Sequence, residues 1–318
     1  MCAFMAVACA FGGCGHAVAA QIDKPIRFIV PYTAGGATDI AARTLASYMT
    51  KSLKQSVIVE NRPGASGNIG MGIAARSPAD GSTIVMASAG QTIAASYFKQ
   101  LSYDLRTDFV PVAKVVENQR MLVGRADAPF NTLAELISYA KANPGKVTFA
   151  SFGAGSSAHM AAELFCQEAH IKMLHVPYKG NADAVNALLG GQVDVMFSEL
   201  SSVISQVNAG KLKAYGVASK TRFSGEPDIP TIDEAGLPGF EVSGWLGVLA
   251  PRGTPPDVVK ELNAAIVDAL HVPEVRERMT QIGADVTTGT PQSFGEFMDK
   301  DLARWEQVLR RANLYKQN

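Results

Sequence analysis

Residues Ile26–Met49, IRFIVPYTAGGATDIAARTLASYM, constrain this chain more than any other stretch. Ile26–Val30 is apolar and rich in branched residues, the pattern of a strand buried on both faces. Asp39–Met49 places Ile40, Ala41, Leu45, Tyr48 and Met49 at helical spacing. Between them runs a loop of small residues, Pro31-Tyr32-Thr33-Ala34-Gly35-Gly36-Ala37-Thr38, with Thr38 or Asp39 expected as the helix N-cap. A strand that turns through glycines into a helix leaves backbone N–H groups pointing out of the helix start. Those donors and the positive end of the helix dipole suit an anion such as a carboxylate.

The unit occurs twice. At an offset of 120 residues, VTFASFGAGSSAHMAAELFC (Val147–Cys166) lies over Arg27–Ala46. Ala34, Gly35, Ala41 and Ala42 meet Ala154, Gly155, Ala161 and Ala162; Tyr32 meets Phe152 and Ile40 meets Met160. Two readings stand: two ordinary βα turns of one α/β protein, or two similar domains that each offer a helix N-terminus to a shared cleft.

At 318 residues the chain has room for two domains with separate cores. Lys plus Arg balances Asp plus Glu at 29 each, so no net field draws it to nucleic acid or an anionic membrane. Met1–Ala20 differs in kind: an apolar run at Ala3–Phe11 leads to small residues, and Ala17-Val18-Ala19 and Val18-Ala19-Ala20 both fit a small-x-small cleavage rule. This reads as a secretory signal, although no Lys or Arg precedes the apolar run. Phe11-Gly12-Gly13-Cys14 resembles a lipoprotein box, but Phe at its first position argues against lipid anchoring. Removal of this segment takes Cys2, Cys9 and Cys14 and leaves Cys166, so no disulfide is expected.

Further strands are predicted at Ser56–Glu60, Thr83–Ala87, Phe109–Val116, Arg120–Val123, Val147–Ser151, His175–Tyr178, Val193–Phe197 and Val242–Ala250. Asn61–Gly70 and Ser88–Thr92 read as small polar loops at strand ends, where ligands gather in open parallel sheets. Thr132 caps a helix to Ala142 with Glu135 three residues on, and Asn143-Pro144-Gly145 stops it. Leu212–Ala218 is expected to return to the first domain, and Glu226–Gly239, rich in Pro and Gly, reads as a surface connection. Pro255–Leu270 and Pro291–Leu309 are amphipathic helices. The resulting division is residues 21–121 with 242–318 as one domain and 122–241 as the other.

The chain holds no Gly-x-Ser-x-Gly elbow, no dinucleotide glycine spacing and no phosphate loop. His159 and Glu163 stand four apart on a predicted helix, without a second nearby His or a thiolate pair to complete a metal set. No catalytic residue, metal or cofactor is expected. His159 reads as an orienting or cap-region residue, His170, His175 and His271 as surface or strand-edge residues, and Trp245 as core. Tyr178-Lys179-Gly180 adds an aromatic hydroxyl and a cation near the second domain's mouth. Loops rich in donors without a nucleophile–base pair suit recognition rather than turnover.

PIRFIVPYTAGGATDIAARTLA, VENRPGASGNIG, SPADGSTIVMAS, SFGAGSSAHMAAELF, VPYKGNADAVNALLGGQVDVMF and GFEVSGWLGVLAPRGTP together resemble the extracytoplasmic solute receptors of the tripartite tricarboxylate transporters, the Bug family. The resemblance implies a two-domain periplasmic binding-protein fold of type II character, each domain a mainly parallel sheet flanked by helices, with the ligand cleft between them. It implies a periplasmic, monomeric receptor that passes a small carboxylate to membrane permease subunits. It assigns ligand contacts to Tyr32, Thr33, Ala34, Gly35, Gly36, Thr38 and Asp39 on one side, and to Ser151, Gly153, Gly155, Ser156, Ser157 and His159 on the other. Asn68, Ala89, Gly90 and Gln91 complete the first wall, and Tyr178, Ser198 and Glu199 the second. Ser198-Glu199 stands where relatives carry Asp or Asn, so ligand identity does not transfer. The rival readings are a sensor receptor for a signalling partner, and a secreted hydrolase using His159 with Ser156 or Ser157.

Overall fold

A computed structural model describes residues 24–316, apart from 179 and 243. The expected signal segment with its three cysteines, and Lys179, lie outside the described residues.

The chain runs through β1 (Ile26–Val30), α1 (Ala37–Leu53), β2 (Val57–Asn61), α2 (Asn68–Ala75), β3 (Thr83–Ser88), α3 (Ala89–Tyr97) and β4 (Phe109–Asn118). There follow β5 (Arg120–Arg125), α4 (Leu133–Ala142), β6 (Thr148–Ser151), α5 (Ser157–Glu168), β7 (Leu174–Pro177), α6 (Asn181–Leu189), β8 (Val195–Glu199), α7 (Leu200–Asn208) and β9 (Leu212–Val217). It closes with β10 (Gly244–Pro251), α8 (Pro256–His271), α9 (Pro273–Gln281), β11 (Ala284–Val286) and α10 (Pro291–Arg311).

Two sheets result, ordered β11-β4-β10-β3-β1-β2 and β7-β6-β8-β5-β9. Both are mixed rather than mainly parallel. β1 pairs in parallel with β2 and β3, and β6 with β7 and β8. The strands next to the crossings, β4, β10, β5 and β9, run antiparallel to their neighbours. The chain first passes between sheets at Gln119, whose N–H donates to the Gly283 carbonyl and whose carbonyl accepts from the Leu200 N–H. β9 stays in the second sheet beside β5, contrary to the expected return at Leu212–Ala218. The Pro- and Gly-rich stretch makes that return instead: Ala218 N–H donates to the Arg120 carbonyl and Val242 N–H to the Ala218 carbonyl. The two crossings therefore lie side by side.

β1 shows why the pattern folds this way. Ile26, Phe28 and Val30 enter one core with Ala41, Leu45 and Met49 of α1, while Ile29 enters the core on the opposite face with Met71 and Trp245. Each of the larger aliphatic and phenyl side chains contributes roughly 1.5–3 kcal/mol when fully buried. α10 spans both lobes. Its Phe294, Met298 and Leu302 pack under the first sheet, and Trp305, Val308 and Leu309 join Phe149 and Phe165 of the second. Trp245 is core, as expected, with its ring against Phe294 and Phe297 and its indole N–H donating to Asp301 Oδ2 at 2.9 Å.

Candidate functional site

The loops after β1, β2 and β3 converge. Tyr32 Oη lies 2.9 Å from Ser88 Oγ, and Gln91 Nε2 donates to Tyr32 Oη at 3.1 Å and to the Ser66 carbonyl at 3.4 Å. Gly67 sits at φ +92°, and a Cβ there would lie 2.8 Å from Gln91 Nε2 and 3.3 Å from the Tyr32 ring, so only glycine lets the three loops close. Burial pushes the Tyr32 hydroxyl above its ordinary value, so it stays a neutral hydrogen-bonding group.

Residues Thr33–Gly36 form an exposed loop ahead of α1. The N-cap is Gly36, not Thr38 or Asp39, and no side chain caps the helix. Asp39 is 3% exposed and turned inward, accepting from Gly35 N–H at 2.9 Å, Arg43 Nε at 2.9 Å and Asn61 Nδ2 at 2.8 Å. Burial works against its ionisation, but the bonds from Arg43, Gly35 and Asn61 prevail and hold its carboxyl below the usual range. Asp39 thus clamps the loop. It takes up the Gly35 N–H, and no side chain caps the first turn of α1.

The second unit repeats this clamp with different chemistry. Gly35 has φ +85° and Gly155 φ +73°. Gly155 N–H donates to His159 Nδ1 at 3.1 Å, the same i to i+4 bond at the 120-residue offset. His159, 5% exposed, is therefore an acceptor at Nδ1 and not an orienting donor toward the loop. Ser156 caps α5, its Oγ accepting from His159 N–H at 3.3 Å. Ser156 Oγ thus accepts from the start of α5, and His159 Nδ1 accepts from the Gly155 amide. His159 Nε2 lies 3.5 Å from Glu163 Oε1, and no third metal ligand joins them among the described residues.

His175 is not an ordinary strand-edge residue. Its ring stacks on His159 at 3.8 Å between centroids, with Phe149 on one side, and its Nε2 lies 2.7 Å from Ser151 Oγ. Ser151 is fully buried and also ties Gly153 through two bonds, so this Ser–His pair braces the loop after β6. Burial, with the neighbouring His159 adding to it against the opposing Glu163, pulls the His175 pKa from 6.5 to about 4. Between those values the unfolded chain binds more protons than the folded one, so stability is full above pH 6.5 and falls as pH drops toward 4. Urea midpoints are expected to register a loss of about 2 kcal/mol across this window, and His175→Asn to flatten it. Equal pH dependence in both proteins would refute the assignment.

The remaining predicted residues divide. Asn68, at the start of α2, accepts from Tyr103 Oη at 2.7 Å. Ala89-Gly90-Gln91 is not a turn but the first turn of α3, with Ser88 and Gln91 forming a capping box; Gln91 is fully buried and its amide is consumed within the wall. Ser198 is fully buried and donates to Asn181 Oδ1 at the start of α6. Tyr178 lies beside Gly153, and Glu199 is half-buried at the end of β8. Tyr97 of α3 was missed: a Cβ on Gly155 would lie 2.8 Å from its ring, so the second loop rests against the first lobe. Arg120 was missed too, although a charge within an apolar strand was the available signal. It is 6% exposed and opposes Glu199 across β5 and β8.

The start of β5 pairs with the end of β8, and β8 runs parallel to β6, so these ends and the loop after β6 lie at one edge of the second sheet. Tyr32 of the first lobe is within electrostatic reach of Arg120 and Glu199 there. A family model described as the tripartite tricarboxylate transporter family receptor matches residues 41–314. The chain belongs to this family. Among solved structures, periplasmic binding protein BugD is 37% identical, with TM-score 0.80 over 93% of this chain and 100% of that one. R. palustris Rpa4515 with adipate is 33% identical, with TM-score 0.81 and coverage of 92% and 98%. MatC of Rhodopseudomonas palustris with bound malate is 35% identical, with TM-score 0.78 and coverage of 90% and 99%. The architecture is that of a two-domain periplasmic binding protein.

Proposed function

We propose that this protein is a periplasmic receptor that closes two lobes over a small carboxylate and delivers it to the permease subunits of a tripartite transporter. The carrying observation is the matched clamp: Gly35 to Asp39 and Gly155 to His159, each holding a left-handed glycine ahead of a helix. With different side chains on the same glycine N–H, the two clamps preserve one backbone shape and leave first-turn amides of α1 and α5 for a shared anion. The division into residues 21–121 with 242–318 and 122–241 enters this reading as the two moving lobes. A ligand gripped from both sides has higher affinity for the closed state, which is what drives closure. The family and the solute-bearing structures of its members support this reading, and a receptor of this kind performs no covalent chemistry.

Thermal melting of refolded, ligand-free protein against mono- and dicarboxylates tests the proposal. At least one acid is expected to raise Tm by several degrees at millimolar concentration. Flat curves across the panel would remove the support for a carboxylate receptor.

A further inference from the structure

Arg120 is the first residue of β5, directly after the first crossing. Its guanidinium is buried, and Nη1 has no hydrogen-bond partner among the described residues. A buried guanidinium nitrogen without an acceptor is costly, and proteins seldom keep one without a use for it. Glu199 faces it in register but forms no ion pair with it among the described residues, and Glu199 and the Tyr32 hydroxyl both lie within its electrostatic reach. Arg120 therefore sits between the end of β8 in one lobe and the loop after β1 in the other. A Cβ on Gly244 would come within 3.3 Å of Nη2 and 3.2 Å of Asn118 Cβ, so Gly244 makes room for the side chain. Asn118 Oδ1 is also buried without a partner. Arg120 Nη1 and Asn118 Oδ1, each without a partner among the described residues, make a polar floor beside Gly244 with unmet hydrogen-bonding capacity.

We propose that Arg120 is the specificity residue of the cleft, taking the second carboxylate of a dicarboxylate whose first carboxylate is held by the helix starts. This rests on the receptor reading above. The planar guanidinium offers paired N–H groups to a carboxylate, which a single amide cannot do. Glu199, beside it, repels that same carboxylate and keeps the floor from accepting any anion indiscriminately.

The test compares α,ω-dicarboxylates from succinate to suberate with their monomethyl esters, by calorimetry, on the parent, Arg120→Gln and Glu199→Gln. The parent is expected to prefer at least one diacid over its ester by about 100-fold. Arg120→Gln should bring that ratio to within about threefold by weakening the diacid while the ester changes little, and Glu199→Gln should tighten the diacid several-fold. Should Arg120→Gln fail to fold, the Glu199→Gln shift and the parent's diacid-to-ester ratio still decide. Equal binding of diacid and ester in the parent overturns the role of Arg120 while leaving the receptor reading in place. Preference for glutamate over its diacid analogue overturns it in favour of an ammonium held by Glu199. Binding of no acid in the series overturns both.

Discussion

Ala37→Pro and Ser157→Pro, made separately, are each expected to weaken carboxylate binding about 10- to 100-fold while Tm moves by only a few degrees. Ala37 is the first residue of α1 and Ser157 the first of α5. Proline is favoured at that position because its N–H has no acceptor within the helix and its φ is already helical. The preceding residues are compatible: Gly36 has ψ 168° and Ser156 ψ 158°, the extended region that proline imposes on its neighbour. The substitution thus removes one outward amide and leaves the helix in place. A charge-assisted hydrogen bond is worth about 1.5–3 kcal/mol, which gives the stated loss. If both variants bind the best acid of the panel as the parent does, the first-turn amides are not the cradle. If one alone loses affinity, a single lobe holds the carboxylate.

Asp301→Ala is expected to lower unfolding free energy by about 3 kcal/mol, read from urea midpoints at constant m-value. Asp301 Oδ2 accepts from the Trp245 indole N–H at 2.9 Å and from Thr92 Oγ1 at 2.6 Å. Burial raises its pKa despite those two bonds. Without the carboxylate, Thr92 can turn its hydrogen to the Ala89 carbonyl at 2.9 Å, whereas the indole N–H is stranded in a packed core. Loss of the acceptor loosens α10 against β10 and α3 together, so the effect exceeds that of an ordinary surface carboxylate. Asp301→Asn keeps an acceptor and should lose about 1 kcal/mol. A midpoint for Asp301→Ala within error of the parent would refute the assignment.

Much of the fold was legible because burial leaves a periodic trace. β1 was predicted at the residues it occupies, and its two-sided apolar run matches two cores. The start of α3 was read as a turn, since Ala89-Gly90 has little helical signal of its own and the capping box of Ser88 and Gln91 forms only once the helix exists. The expected return of Leu212–Ala218 to the first domain fails because strand pairing depends on partners distant in sequence, and nothing within Leu212–Val217 names β5.

For the candidate site, the sequence alone determined the two glycine loops and their 120-residue offset, because a left-handed turn into a helix demands glycine locally. Which way Asp39 and His159 point was decided only by the tertiary structure: each could cap, reach solvent or turn back. Packing against Asn61 on one side and the stacked ring of His175 on the other turned both inward. That Arg120 Nη1 lacks a partner among the described residues likewise shows only in three dimensions. An unmet donor is a property of everything around a residue, and the sequence records the residue without its surroundings.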